Sequence, residues 1–279
     1  MELEIDGVTT YYEIHGEGIP IVTLHGWGTD HRIVKGCLEP VFAGRKDGFK
    51  RIYFDIPGMG RSRINSRIRS SDDIRDFIRA LIEKLIPGEK YALVGKSYGG
   101  YLSRGIAKVD SANVLGLFLL CPVVTMNDDE KTVPPHQVCE RDAGLETIIP
   151  KADIGDFELF HAIQTQVVWE RYRDWILPGA KLANQEFLSG VLGNNKYFTE
   201  AIDTEGESYS WPTLILAGKQ DWCVGYADQW KLADHYPQAT YVALEKAGHN
   251  LEYEKPEIFN AHVNAWINEI ARKKEMCHG

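Results

Sequence analysis

Six short runs of apolar residues, each ended by Gly, Pro or a polar turn, set the rhythm of this chain. They are Pro20–Leu24, Arg51–Phe54, Tyr91–Val94, Val114–Leu120, Thr213–Ala217 and Thr240–Leu244. Short apolar runs without alternation are what strands look like when both faces are covered, as in a parallel sheet. Between them the period changes. Residues 71–86, with Ser70 before them, carry a helix start in Ser70-Ser71-Asp72-Asp73 and place apolar side chains at 74, 77, 78, 81, 82 and 85 before Pro87-Gly88. Residues 98–109, 225–235 and 256–274 predict further helices, the last with Ile258, Phe259, Val263, Trp266, Ile267 and Ile270 on one side. Thr9–His15, β-branched and aromatic, predicts an exposed strand. Strands alternating with helices predict an α/β fold, with a mostly parallel, twisted sheet and right-handed crossovers.

The alternation fails between residues 123 and 211. This stretch is polar and helix-like, with Phe157, Leu159, Phe160, Ile163, Val167, Val168, Trp169, Tyr172, Trp175 and Ile176 suggestively spaced. It predicts a helical cap inserted at 123–211, entered after Cys121-Pro122 and left at Trp211-Pro212. Residues 1–122 and 212–279 then form the core. Trp169, Tyr172 and Trp175 serve equally well as the cap's own core or as a pocket wall.

Composition narrows the function. The chain has 279 residues, 44% hydrophobic and 25% charged, enough for one large domain with an insertion. A net charge of −9 argues against nucleic acid as a partner and leaves a small-molecule substrate. The cysteines stand at 37, 121, 139, 223 and 277, an odd number without a C-x-x-C. They predict neither a disulfide framework nor a zinc site, and free thiols suit a reducing compartment. The first residues have no basic start and no apolar core of a signal peptide. No run approaches the length of a membrane span. The expected location is cytoplasmic, with no membrane partner; a homodimer stays open.

The chemistry centres on Gly95-Lys96-Ser97-Tyr98-Gly99, between an apolar run and a helical segment. A G-x-S-x-G in that context is a nucleophile elbow. A serine hydroxyl needs a base, and histidine suits; the histidine in turn needs a carboxylate to fix its tautomer. His249 follows the last strand and Asp221 the strand before it, in the order Ser, Asp, His. Both stand past the C-terminal ends of predicted strands, where open parallel sheets bind ligands. Acyl transfer also needs donors for the developing oxyanion. The N–H groups of Tyr98 and of Trp27, in His25-Gly26-Trp27-Gly28 after the Pro20–Leu24 strand, stand in the right places. His25 is expected to brace that loop. His31, His136, His161, His235 and His262 are expected on the surface or in the core, without a ligand role.

On these blocks, together with Asp55-Ile56-Pro57-Gly58-Met59-Gly60-Arg61-Ser62, the chain resembles α/β-hydrolase-fold serine hydrolases with a helical cap, over about residues 10–122 and 212–272. The resemblance implies nucleophile Ser97, acid Asp221, base His249, and oxyanion N–H groups of Trp27 and Tyr98. Some relatives carry the acid after an earlier strand, where Asp128 and Asp129 stand here. The Asp55–Ser62 block marks the fold. No cofactor and no metal is implied. The expected reaction is hydrolysis of a small ester through an acyl-enzyme. Amide (iminopeptidase), lactone or carbon–carbon hydrolysis, and a non-catalytic small-ligand receptor on the same fold, are the alternatives. Lys96 departs from the family pattern; a cation there would either favour acidic substrates or point into solvent.

Overall fold

The six apolar runs lie side by side in one sheet. The computed structural model describes residues 1–45 and 48–276; Cys277 lies outside them. The strands are β1 (Glu2–Ile5), β2 (Val8–His15), β3 (Ile19–Leu24), β4 (Phe49–Phe54), β5 (Tyr91–Lys96), β6 (Val114–Leu120), β9 (Thr213–Gly218) and β10 (Ala239–Leu244). Their order is β1-β2-β4-β3-β5-β6-β9-β10. From β4 to β10 every pairing is parallel, whereas β1–β2 and β2–β4 are antiparallel. Burial follows position. β3 and β5 are buried at every residue, while β10, at the sheet edge, is mostly half-exposed despite its apolar sequence.

Four long helices cover the sheet. They are α1 (Arg32–Phe42), α2 (Ser71–Leu85), α3 (Tyr98–Val109) and α11 (Pro256–Met276), with α1 packed on α11 and α2 on α3. The Ser70 hydroxyl caps α2 by accepting the Asp73 N–H. In α11 the expected face is buried at Phe259, Val263, Trp266, Ile267 and Ile270, but Ile258 is exposed. Residues 225–235 form only a short helix, α9 (Tyr226–Lys231), and then a single 3₁₀ turn.

Neither β1 nor α1 was foreseen from the sequence. β1 reads Glu-Leu-Glu-Ile and pairs with β2 across Asp6-Gly7, both at positive φ, the backbone that Asp-Gly favours in a two-residue hairpin. α1 contains Gly36 and Pro40, poor helix formers that argued against its regular apolar spacing. Gly36 is there for space: a methyl group would overlap the rings of Trp175 and the hydroxyl of Tyr253.

Because β6 and β9 are adjacent and parallel, the chain between them leaves the sheet. It holds α4 (Leu145–Ile148), α5 (Ile154–Phe160), α6 (Gln166–Trp175), α7 (Leu177–Ala180) and α8 (Gln185–Phe187). It also holds an unforeseen two-residue parallel pairing of β7 (Glu140–Arg141) with β8 (Ile163–Gln164). Trp169 and Tyr172 are buried against Phe157 and His161, and Trp175 packs over α1 at Gly36. No helix among the described residues is long and apolar enough to cross a membrane.

Candidate active site

Ser97 follows β5 and precedes α3 with φ 54° and ψ −117°, a conformation that costs a residue with a Cβ and persists only where its surroundings impose it. Here they do. A methyl group at Gly99 would overlap the Leu24 carbonyl, and one at Gly95 would overlap the Gly99 carbonyl, so α3 is pressed onto the ends of β3 and β5. The Ser97 N–H donates to the Leu120 carbonyl (2.9 Å), and its own carbonyl accepts from Gly100 (2.9 Å) and Val123 (3.0 Å).

The loop after β3 is held from behind. Burial keeps His25 below the usual imidazole range. Its Nε2 accepts the Ile56 N–H (2.9 Å), so Nδ1 carries the proton and donates to the Gly26 carbonyl (2.9 Å). The Thr29 hydroxyl donates to the same oxygen (2.9 Å). That oxygen and the Trp27 N–H belong to one planar peptide unit, so fixing the first aims the second the other way. Among the described residues no protein acceptor takes the Trp27 N–H. Tyr98 opens α3, and its N–H is one of the unpaired donors of a helix's first turn. The Trp27 and Tyr98 rings meet edge-on with centroids 5.1 Å apart, and the Tyr98 hydroxyl bonds Ser71 (2.8 Å). Both backbone positions are thereby packed into one unit.

Asp221 lies just past β9 and is fully buried. Its Oδ1 accepts the N–H groups of Cys223 (2.9 Å) and Val224 (3.2 Å), and its Oδ2 accepts His249 Nδ1–H (2.8 Å). Burial works to raise this carboxyl, but His249 and the two N–H donors outweigh it and hold it below the usual range. Asp128 and Asp129 are exposed, and Asp128 pairs with Lys131; neither is brought to His249.

Lys96 meets neither expectation. It is buried, with Nζ 2.8 Å from the His249 carbonyl and 2.8 and 3.1 Å from the two Glu252 oxygens. It therefore points neither at solvent nor into a substrate pocket. The Asp55 block is a structural knot: Asp55 accepts from His31 and from the Arg61 N–H, and Ser62 bonds Thr10 and the Asp55 carbonyl. Two groups place three donor atoms within metal reach, Cys121/Asp221/His249 and Asp30/His31/Asp55. Within each, the carboxylates are already engaged by N–H donors.

The inserted segment is fastened to the loops that carry Asp221 and His249. Trp222 Nε1 donates to the Leu159 carbonyl (2.6 Å), and the Phe160 ring lies beside those of Trp222 and His249. His161, held neutral near a pKa of about 3 by burial, donates from Nδ1 to the Phe157 carbonyl and accepts from Asn250 (3.2 Å) at Nε2. Glu254 accepts the N–H groups of Ala162 (2.6 Å), Ile163 (2.9 Å) and Gly248 (2.5 Å). None of Trp222, Asn250, Glu252 and Glu254 was read from the sequence. The polar run Asn250-Leu-Glu-Tyr-Glu254 after His249 was the available signal.

The Glu254 carboxyl is pushed up to about 7, chiefly by burial, against the pull of its three N–H partners. An unfolded Glu titrates near about 4.3, so the folded state binds this proton more tightly. The contribution to stability is complete below about pH 4 and is lost as pH rises through about 7. Glu254→Gln should remove this slope. Between pH 4.5 and pH 8 the thermal midpoint of the parent should fall relative to that of the variant; parallel curves would refute the assignment.

Residues 19–256 match the α/β hydrolase fold family, and the chain belongs to that family. It is similar to an α/β superfamily hydrolase from Oenococcus oeni PSU-1 of known structure, with 31% identity, a TM-score of 0.88, and coverage of 97% of this chain and 99% of the other. It is 27% identical over 276 residues to an AB hydrolase superfamily protein of Bacillus subtilis, covering 94% of this chain and 96% of that one. It is also 27% identical over 264 residues to a pimeloyl-[acyl-carrier protein] methyl ester esterase of Aeromonas hydrophila, covering 88% and 94%.

Proposed function

We propose that the protein is a serine hydrolase of small carboxylic esters, acting through an acyl-enzyme. The observation that carries the reading is the Asp221–His249 hydrogen bond of 2.8 Å at the same C-terminal end of the parallel strands as a serine held at φ 54°. The similarity to a pimeloyl-[acyl-carrier protein] methyl ester esterase supports the ester reading.

Ser97 Oγ attacks the ester carbonyl while His249 Nε2 takes its proton. Asp221 keeps the Nδ1–H tautomer in place and stabilises the imidazolium. The carbonyl oxygen becomes an oxyanion facing the Trp27 and Tyr98 N–H groups, each such donor worth roughly 3 kcal/mol in the transition state. Collapse of the intermediate expels the alcohol, which takes the proton from His249. Water then attacks the acyl-enzyme, losing a proton to His249, and Ser97 recovers that proton as the acid departs.

Residues 123–211 contain 16 Asp and Glu against 7 Lys and Arg, so the whole formal charge of −9 sits in this cap. Its field favours neutral or cationic esters over anionic ones. A fluorophosphonate probe should label the folded protein at Ser97, and short-chain p-nitrophenyl esters should be turned over. Folded protein that neither labels nor hydrolyses them would sink the reading.

A further inference from the structure

Lys96 and Glu252 form an ion pair buried beneath His249, with side-chain exposures of 1% and 0%. Burial works against the Lys96 ammonium, but Glu252 outweighs it and keeps the group charged. Fold stability does not account for such a pair, because two apolar side chains of similar volume often serve as well or better. What apolar residues cannot supply is the third contact, from Lys96 Nζ to the His249 carbonyl at 2.8 Å. An ammonium has three N–H donors, and here they are shared between Glu252 and that carbonyl.

The positions in the chain give the contact its meaning. Lys96 is the last residue of β5 and shares a peptide bond with Ser97. Glu252 lies in α10 (Leu251–Glu254), three residues past His249. His249 is therefore held at two points, its ring by Asp221 and its main chain by the residue next to Ser97. We propose that Lys96 and Glu252 are positioning residues that set His249 relative to Ser97, by tying the strand before the serine to the main chain of the histidine loop. The proposal rests on the reading of Ser97 and His249 as nucleophile and base, and its test separates the two.

The pair also places one charge of each sign beside the His249 main chain. The other groups around His249 are Asp221 past β9, Cys121 at the end of β6, Ser97 after β5, His161 from the insertion, and Glu254 through the neighbouring Gly248. All stay in place when only Lys96 or Glu252 is changed. Lys96→Met leaves Glu252 uncompensated, which favours the imidazolium and moves the acid limb of the kcat/KM profile to higher pH. Glu252→Gln leaves the ammonium uncompensated and moves the limb to lower pH. A role confined to packing shifts neither.

Each single variant strands a buried charge and loses stability. The double variant Lys96→Met/Glu252→Leu strands none and keeps the protein folded. On p-nitrophenyl butyrate it should lose on the order of 10²-fold in kcat, the scale of about 1 Å of misplacement, with KM within about twofold of the parent. A double variant with parental kcat, or one altered only in KM, would overturn the proposal. The His249 ring, assigned by the loss of its NMR signal in His249→Ala, should titrate with opposite shifts in the two single variants. If fluorophosphonate leaves the parent unlabelled, the catalytic reading fails, and this titration still decides whether the pair is coupled to His249. Identical titrations in all variants would overturn it.

Discussion

Ser97→Ala should lower kcat on p-nitrophenyl butyrate by on the order of 10⁶-fold while the thermal midpoint stays within a degree or two of the parent. The two readouts are separable because the elbow is imposed by its neighbours. The constraints on residue 97 are the bonds of its main chain to Leu120, Gly100 and Val123 and the close packing at Gly95 and Gly99. Alanine has the same Cβ and the same cost at φ 54°, so the fold changes little when Oγ goes. What turnover remains is what the anion site and substrate binding supply. A Ser97→Ala protein of undiminished activity would remove the nucleophile from the proposal.

Asp221→Asn should lower kcat about 10⁴-fold without unfolding the protein. The argument is one of orientation. Oδ1 accepts two main-chain N–H groups, from Cys223 and Val224, so the amide oxygen of an asparagine must take that side. Its NH₂ group then faces His249 Nδ1, where Oδ2 now accepts a proton. Nδ1 becomes the acceptor, the ring proton moves to Nε2, and the base has no lone pair for the serine. Asp128→Ala and Asp129→Ala should each stay within about twofold of the parent, since both carboxylates are exposed, Asp128 is paired with Lys131, and neither bonds His249. A rate loss confined to those two variants would move the acid away from Asp221.

The sheet was legible because its strands are buried on both faces: six apolar runs of the right length became six parallel neighbours. What was missed follows from competing signals. In α1 the apolar spacing is regular from Ile33 to Phe42, but Gly36, which serves the docking of Trp175, and Pro40 are both poor helix formers and speak against a helix. In β1 the charges of an exposed edge strand masked it, although Asp6-Gly7 announced the hairpin. The motif residues were visible because their neighbours in sequence are glycines that the turn requires. Lys96, Glu252 and Glu254 were opaque for the opposite reason. Charged side chains read as solvated, and only long-range packing shows that these three are buried with partners 156 residues apart or in another segment.

The fastening of residues 157–164 bears on how freely this chain can be altered. Their partners are Trp222, Asn250 and Glu254, all within a few residues of Asp221 or His249. This segment is thus no interchangeable module. A replacement would have to present a carbonyl to Trp222, an imidazole nitrogen to Asn250 and two consecutive N–H groups to Glu254, or leave that buried carboxyl with the Gly248 N–H alone of its three donors. The insertion is seated elsewhere too, by Arg171 on the Tyr253 carbonyl (2.7 Å) and by Trp175 at Gly36, so a replacement would have to match those contacts as well.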